Sequence, residues 1–285
     1  TAVGFNSLST SIIGTGNTAI GHQSLLTSTG NSNTAIGSQS MTLTSTGNYN
    51  TAMGDLSLTA NTIGENNISV GYQSLKANTT GTDNVGIGSN ALLSSVSGTN
   101  NIAIGSSTLN LNIYGNNSIA IGYKSLYTNT TSANIGIGYL ALTLNTTGVN
   151  NVGIGLNALA SNTLSSSNVA VGNEALSSND ANNNTAVGYE SMTENTTGNN
   201  NASFGTSSLK NNIIGNFNVA VGSSSLFTNN TNHNTAVGYN SLTLDSTGIK
   251  NTALGSSSFS IFTYGNYNVG LGYNSGSSLT TGSNN

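Results

Sequence analysis

The chain has 285 residues, and only 4% of them are charged, against about 25% in a typical soluble domain. It has 36 glycines and no proline, cysteine or tryptophan. Without cysteine there is no disulfide framework and no thiol chemistry. Its four basic residues are widely spaced and give no basic footprint for nucleic acid. No run of about 18 apolar residues is present, so we expect no transmembrane segment.

A glycine that ends a short apolar triplet recurs along the whole chain, first at Gly4 and last at Gly272, at intervals of 16 or 17 residues. We call it the strand glycine and count the other positions of a repeat from it. The interval is too short for helical repeats of about 33 residues or more. It fits one coil of a β-solenoid, in which successive turns pair at about 4.8 Å. The sequence therefore predicts an all-β parallel β-solenoid of about seventeen turns, forming one repeat-array domain over residues 1–285 that is uncapped at both ends.

The residues before each strand glycine alternate in character with a period of two, which predicts a strand. The residue before the glycine, such as Ile20, is always apolar, and the residue three before it, such as Thr18, is Thr, Ile or Val with one exception, Ala202. We expect these two columns to point inward. The residue two before the glycine is always Ala, Gly or Ser. Two interpretations of that small face stay open: another sheet or chain approaches it closely, or it lines a narrow interior.

The residue four before the strand glycine is Asn in almost every turn. Asn tolerates left-handed backbone and bonds nearby backbone groups, so we expect it at a corner, stacked into a ladder. This Asn column comprises Asn17, Asn33, Asn50, Asn67, Asn84, Asn101, Asn134, Asn151, Asn168, Asn184, Asn201, Asn218, Asn234, Asn251 and Asn268, with Ser118 as the exception.

The residue four after the strand glycine is Leu or Met, except at Phe259 and Gly276. We expect it in the core, within a second short strand or a bend. The Leu column comprises Leu25, Leu58, Leu75, Leu92, Leu109, Leu126, Leu142, Leu159, Leu176, Leu209, Leu226 and Leu242, with Met at a few turns.

The segments N-T-A-I-G at 17–21, N-I-A-I-G at 101–105 and N-V-A-V-G at 168–172 resemble the head repeats of trimeric autotransporter adhesins of the YadA type. The longer N-T-A-V-G-Y-E-S-M-T-E-N-T-T-G at 184–198 is similar to repeat arrays of phage and viral tail-fibre proteins. The resemblance implies a left-handed parallel β-roll, often trimeric, displayed on a surface and used for attachment. It covers the whole chain, but no neck, stalk, membrane barrel or tail-fibre chaperone domain accompanies it.

Catalysis is not expected, because solenoid enzymes that cut polysaccharides group their carboxylates on one face. The nearest approach to such a pair is Glu174 and Glu190, which share a column in consecutive turns, with Glu194 close by. His22 and His233 stand in different columns, whereas a metal site needs three or four converging ligands. We therefore expect no metal and no cofactor.

Three other sequence features are candidates for surface functions, namely glycan attachment, ice binding and aromatic contact. N-T-T sequons at Asn78, Asn129, Asn145 and Asn195 are either glycan acceptors or simply corners, and corners are favoured. The column with Thr18 would suit ice binding only if its threonines faced solvent. Tyrosines directly after the strand glycine are candidates for surface contact, or they stack to stabilise the solenoid. They are Tyr72, Tyr123, Tyr139, Tyr189, Tyr239 and Tyr273.

These patterns favour a non-enzymatic extracellular structural fibre or adhesin segment on a cell or virion surface. We expect its partners to be copies of itself, in a homotrimer or an end-to-end filament, and a surface glycan or host-cell receptor. The alternatives are an ice-binding β-solenoid and, less favoured, a carbohydrate-active solenoid.

Overall fold

The triplet before each strand glycine forms a short β-strand, as the period-two alternation predicts. The computed structural model describes residues 1–10 and 13–285. Within this part of the chain there are seventeen strands and no helix. Each strand glycine has φ between 107° and 142°, a conformation that only glycine adopts without strain. The predicted all-β parallel β-solenoid is confirmed, with about sixteen turns rather than seventeen.

The chain divides into two compact units, Thr1–Thr147 and Gly148–Asn285. Unit 1 contains β1 (Ala2–Val3), β2 (Thr18–Ile20), β3 (Thr34–Ile36), β4 (Thr51–Met53), β5 (Ile68–Val70), β6 (Val85–Ile87), β7 (Ile102–Ile104), β8 (Ile119–Ile121) and β9 (Ile135–Ile137). Unit 2 contains β10 (Val152–Ile154), β11 (Val169–Val171), β12 (Thr185–Val187), β13 (Ala202–Phe204), β14 (Val219–Val221), β15 (Thr235–Val237), β16 (Thr252–Leu254) and β17 (Val269–Leu271).

Within each unit, every strand pairs in parallel with the next one along the chain, and equivalent residues stand side by side. The 16-residue turns keep this register because they are shorter only at one corner. In a full turn the Asn61 amide donates to the carbonyl three residues on, at Gly64. In a short turn the equivalent Asn229 donates to the carbonyl two residues on, at Thr231. The corner therefore absorbs the missing residue and the strands do not shift.

The strands present the opposite face to the interior from the one expected. The small residue at the centre of each triplet is buried, as at Ala35 and Ala103, whereas the residues on either side of it are partly or largely exposed. The prediction that the Thr/Ile/Val columns point inward was wrong. The interior is too narrow for them: a Cβ on Gly86 would lie 2.6 Å from Ser74 Oγ and 3.3 Å from Leu75 Cγ. The small face therefore lines the interior, which decides between the two interpretations left open.

The Leu column lies in this interior, fully buried from Leu25 to Leu242. It does not sit on a second strand; the chain bends here, and each Leu adopts left-handed backbone, for example φ 50° at Leu75. The Ser or Ala before each Leu is buried beside it, as at Ser74 and Ala91. Each turn thus has one strand, and the rest of it is a chain of tight bends.

Two Asn ladders satisfy the polar interior. In the Asn column, Asn67 donates from its backbone N and its Nδ2 to Asn50 Oδ1, at 3.0 and 3.1 Å, and from Nδ2 to the Gly81 carbonyl at 2.8 Å. A second Asn column lies seven residues after the strand glycine, where Asn78 Nδ2 donates to Asn61 Oδ1 at 2.9 Å. Both columns are buried. The amides therefore link neighbouring turns through the core.

The exceptions in the Leu column compensate for each other. The larger Phe259 is buried, and its ring extends toward the next turn, which has Gly276 in the same column. A Cβ added to Gly276 would lie 2.3 Å from Phe259 Cε1, so no side chain fits there while the ring is present. Gly276 has φ 61°, close to the left-handed backbone that Leu adopts in this column elsewhere.

We predict that Gly276→Leu lowers the free energy of unfolding by about 1–3 kcal/mol through overpacking, and Phe259→Leu lowers it by about 1 kcal/mol by leaving a cavity. The double variant restores the usual column and should recover most of both losses. Urea unfolding of the four proteins measures the coupling. Additive losses in the double variant would contradict the proposed contact.

Candidate functional surfaces

The outward columns of the strands form an apolar face on each unit, which we call the strand face. It consists of the side chains one and three residues before each strand glycine. In unit 1, Ile87, Ile104 and Ile121 are 38%, 37% and 36% exposed, and unit 2 continues the pattern with Val219 and Val221. Neither column contains a charged residue. On each unit the face covers on the order of 400 Å², given about 4.8 Å between strands, which is the size of the largest apolar patch on a typical monomer, a patch that is often functional.

The threonines of the candidate ice-binding column lie on this strand face and are half-buried rather than interior. They are Thr18, Thr34, Thr51, Thr185, Thr235 and Thr252. Three of them follow one another in consecutive turns of unit 1, while Ile or Val occupies most of the other positions in the column. Solvent therefore reaches a short Thr array within a mainly aliphatic surface.

The candidate tyrosines all lie on the surface, between 43% exposed at Tyr123 and 77% at Tyr273. They do not form one continuous stripe. Tyr123 and Tyr139 are stacked, with ring centroids 5.4 Å apart, and Lys124 Nζ lies 5.4 Å from the centroids of both Tyr123 and Tyr127. The column thus contributes one aromatic cluster in unit 1 and separate exposed rings elsewhere.

A second set of aromatic side chains does not stand out from the sequence pattern alone. Phe217 stacks on His233, with centroids 5.0 Å apart and planes 7° apart, and Lys250 Nζ lies 5.0 Å from the centroid of Tyr267. These four residues occupy the position five before the strand glycine in consecutive turns. Aligning the repeats on that position would have found them, because Asn or Ser is usual there.

The candidate carboxylates do not form a free pair. Glu190 Oε2 accepts a hydrogen bond from Lys210 Nζ at 2.6 Å, and this bond lowers the pKa of the Glu190 carboxyl. Neither histidine belongs to a cluster of ligands: His22 stacks on Phe5, and the described residues contain no group of three or more His, Cys, Asp or Glu that could hold a metal ion. A search of the same residues finds no helix long and apolar enough to cross a membrane.

The four sequon asparagines belong to the second Asn column. Asn78, Asn129, Asn145 and Asn195 are fully buried, and their side chains take part in the interior ladder, as where Asn195 Nδ2 donates to Asn179 Oδ1 at 2.7 Å. A glycan attached to such a nitrogen would have no space. The geometry therefore fits the corner interpretation that the sequence favoured.

One buried carboxyl interrupts the second Asn column. Asp245 accepts hydrogen bonds from the Gly248 backbone N at 2.8 Å and Asn251 Nδ2 at 3.1 Å. Burial nevertheless raises the pKa of Asp245 above its ordinary value of 3.8, against the lowering effect of these bonds. The charged form of Asp245 therefore destabilises the folded chain at this position of the ladder.

A comparison with protein-family models matches none of them, and a comparison with curated proteins finds no significant match. The chain is a parallel β-solenoid repeat protein with Asn ladders, and this assignment rests on its strands and hydrogen bonds.

We predict that Asp245→Asn raises the free energy of unfolding at pH 7 by about 1–3 kcal/mol, because it removes a buried charge and supplies an amide to the ladder. Since the folded chain holds the Asp245 proton more tightly than the unfolded chain, the penalty grows as pH rises through the folded pKa and disappears below about pH 3.8. Urea unfolding at several pH values measures the gain. A gain that does not change with pH would show that charge burial is not its cause.

Proposed function

We propose that this chain is a non-enzymatic segment of an extracellular structural fibre or adhesin, which assembles with further copies of itself through the strand face. The observation that carries the proposal is the outward, uncharged, aliphatic character of that face on both units. A contiguous apolar patch of this size is often functional, and such patches mark sites of association.

The regular spacing of the strand face indicates what covers it. Its side chains stand in rows about 4.8 Å apart along each unit, in an unbroken register of equivalent residues. A partner whose side chains interdigitate with every row must repeat at the same interval. A second copy of this chain has that repeat, and since the face has no charge it offers no like-charge repulsion to a copy.

The resemblance to YadA-type adhesin heads and to tail-fibre repeats supports the same proposal and suggests a homotrimer. It also suggests display on a cell or virion surface, with attachment to a glycan or receptor as the purpose of the fibre. The proposed assembly surface is the strand face and not the small Ala and Gly face of the strands, because the small side chains are inside each coil.

The state of the carboxylates supports a non-enzymatic role. A glycosidase pairs an ionised carboxylate with a carboxylic acid whose pKa is raised. Here the Lys210 ammonium lowers the pKa of Glu190, which disfavours its use as the acid. Buried Asp245 has the raised pKa, but its side chain is fully enclosed and out of reach of a polysaccharide.

We predict that light scattering finds the chain with the mass of three 28.6 kDa copies, or of a larger assembly. The double variant Ile87→Asp/Ile104→Asp should be a monomer of unchanged fold, because assembly would desolvate two carboxylates without partners. Circular dichroism checks the fold of each sample.

The matched control is Ile63→Asp, which changes an exposed isoleucine at a corner outside the strand face and should leave the assembly intact. A monomeric wild-type chain at micromolar concentration would refute the assembly. So would an aspartate double variant that assembles like the wild type.

Ice binding is the second candidate, and the observation that favours it is that the half-buried threonines lie on the outer strand face rather than in the interior. If the strand face binds ice, the monomeric chain should show thermal hysteresis, and Thr34→Lys should reduce it by placing a long charged side chain among Thr18 and Thr51. Absence of hysteresis in the native chain would end this candidate. Hysteresis without self-association would replace the fibre proposal.

A further inference from the structure

We propose that the four side chains Phe217, His233, Lys250 and Tyr267, here called the Phe217–Tyr267 rank, bind an anionic saccharide through its carboxylate or sulfate groups. They occupy the position five residues before the strand glycine in four consecutive turns of unit 2. This position lies beside the strand face rather than on it. The proposal adds a ligand class to the fibre and does not rest on self-association.

The backbone at this position disfavours bulky side chains. Each described non-glycine residue there has left-handed backbone, with φ between 56° and 63°. Nine of these fifteen residues are Asn, Asp or Ser, the short polar types that accept this conformation most easily. The rank instead places four large side chains there in succession. Leu takes the same conformation in the Leu column, where full burial offsets the cost, but the side chains of the rank are exposed and gain no such burial. A run of locally unfavourable choices without that compensation is expected where the side chains serve a function that the fold does not require.

The side chains of the rank organise one another. Phe217 and His233 are stacked face to face, with centroids 5.0 Å apart, and Lys250 Nζ lies over the Tyr267 ring and 3.4 Å from its hydroxyl. Phe217 and His233 therefore cover one face of each other, which leaves the edges of these two rings open to solvent. Because the edge of an aromatic ring is its electropositive side, these edges favour an anion.

Lys250 adds a full positive charge to the rank. The ion pair found among the described residues joins Lys210 to Glu190, so Lys250 has no carboxylate within ion-pair distance there. Its side chain is exposed, in a chain whose net charge is −4. A cation kept beside aromatic rings, without a carboxylate of its own chain, is available to an external carboxylate or sulfate.

The shape of the rank favours a saccharide over a small inorganic anion. Backbone hydrogen bonds fix its turns, for example from His233 N to Asn216 O at 3.0 Å and from Tyr267 N to Ile249 O at 3.2 Å. Three steps between turns span about 14 Å. Phe217 and Tyr267, each about half exposed, place apolar ring carbons on either side of the charge. An acidic oligosaccharide offers both C–H surfaces and anionic groups over this length.

The test is calorimetric titration of the whole chain with an oligogalacturonate, a heparin-derived oligosaccharide, a neutral cello-oligosaccharide and inorganic polyphosphate. We expect one or both acidic saccharides to bind and the neutral one not to bind. Lys250→Asn should weaken binding by about ten- to a hundredfold, the range for hydrogen bonds to a charged group. Phe217→Asn and Tyr267→Asn should also weaken it.

Stability separates binding from a structural role. Since Asn suits the left-handed backbone, the three Asn variants should melt at the wild-type temperature or above it while losing affinity. The matched controls are Tyr49→Asn, at the same position in unit 1, and Lys76→Asn, which removes the same charge elsewhere; both should bind as wild type.

Three outcomes would overturn the proposal. The first is that neither acidic saccharide binds, and the second is that Lys76→Asn loses as much affinity as Lys250→Asn, which would indicate a general charge effect. The third is that polyphosphate binds as well as the saccharides with the same dependence on the variants, which would show that charge alone is recognised.

Discussion

Turn-to-turn hydrogen bonding through the interior is the interaction on which the rest of this structure depends. A repeat of 16 or 17 residues has a three-residue strand and one Leu of core, too little to fold alone. Its neighbours supply the partners for its strand, and the two Asn columns carry the same bonding across the polar interior. Where a short side chain replaces Asn, the ladder is broken: Ser95 Oγ and Asn78 Oδ1 are both buried without a hydrogen-bond partner.

The narrowness of the coil connects the fold to its surface. Because Asn, Leu and Ser side chains fill the interior from the bends, the strand can send inward only Ala, Gly or Ser. The larger residues of every strand are therefore forced outward, and they accumulate as an aliphatic face. The same constraint that makes each coil thin thus creates the surface that we propose for assembly. In the assembly that we propose, a second copy would cover that face and add to the stability of a thin coil.

Departures from the repeat are of two kinds, which differ in their physical consequences. Phe259 with Gly276 is a compensated pair inside the core, because the larger Phe side chain occupies the space that the absent side chain of Gly276 leaves. The Phe217–Tyr267 rank is different: its large side chains are exposed to solvent from left-handed backbone. The first kind preserves the fold, and the second is where a function added to the fold is expected.

The sequence by itself determined the solenoid, the register of its strands, and the Asn and Leu columns, because a fixed period forces equivalent residues of successive turns into line. It could not determine which face of each triplet is inside. Period-two alternation is symmetric, and aliphatic residues ordinarily point inward, so Ile104 and Thr34 were assigned to the interior. Only the tertiary structure decided otherwise, because the space inside a coil depends on how the bends around Leu75 and Asn78 fold back against the strand.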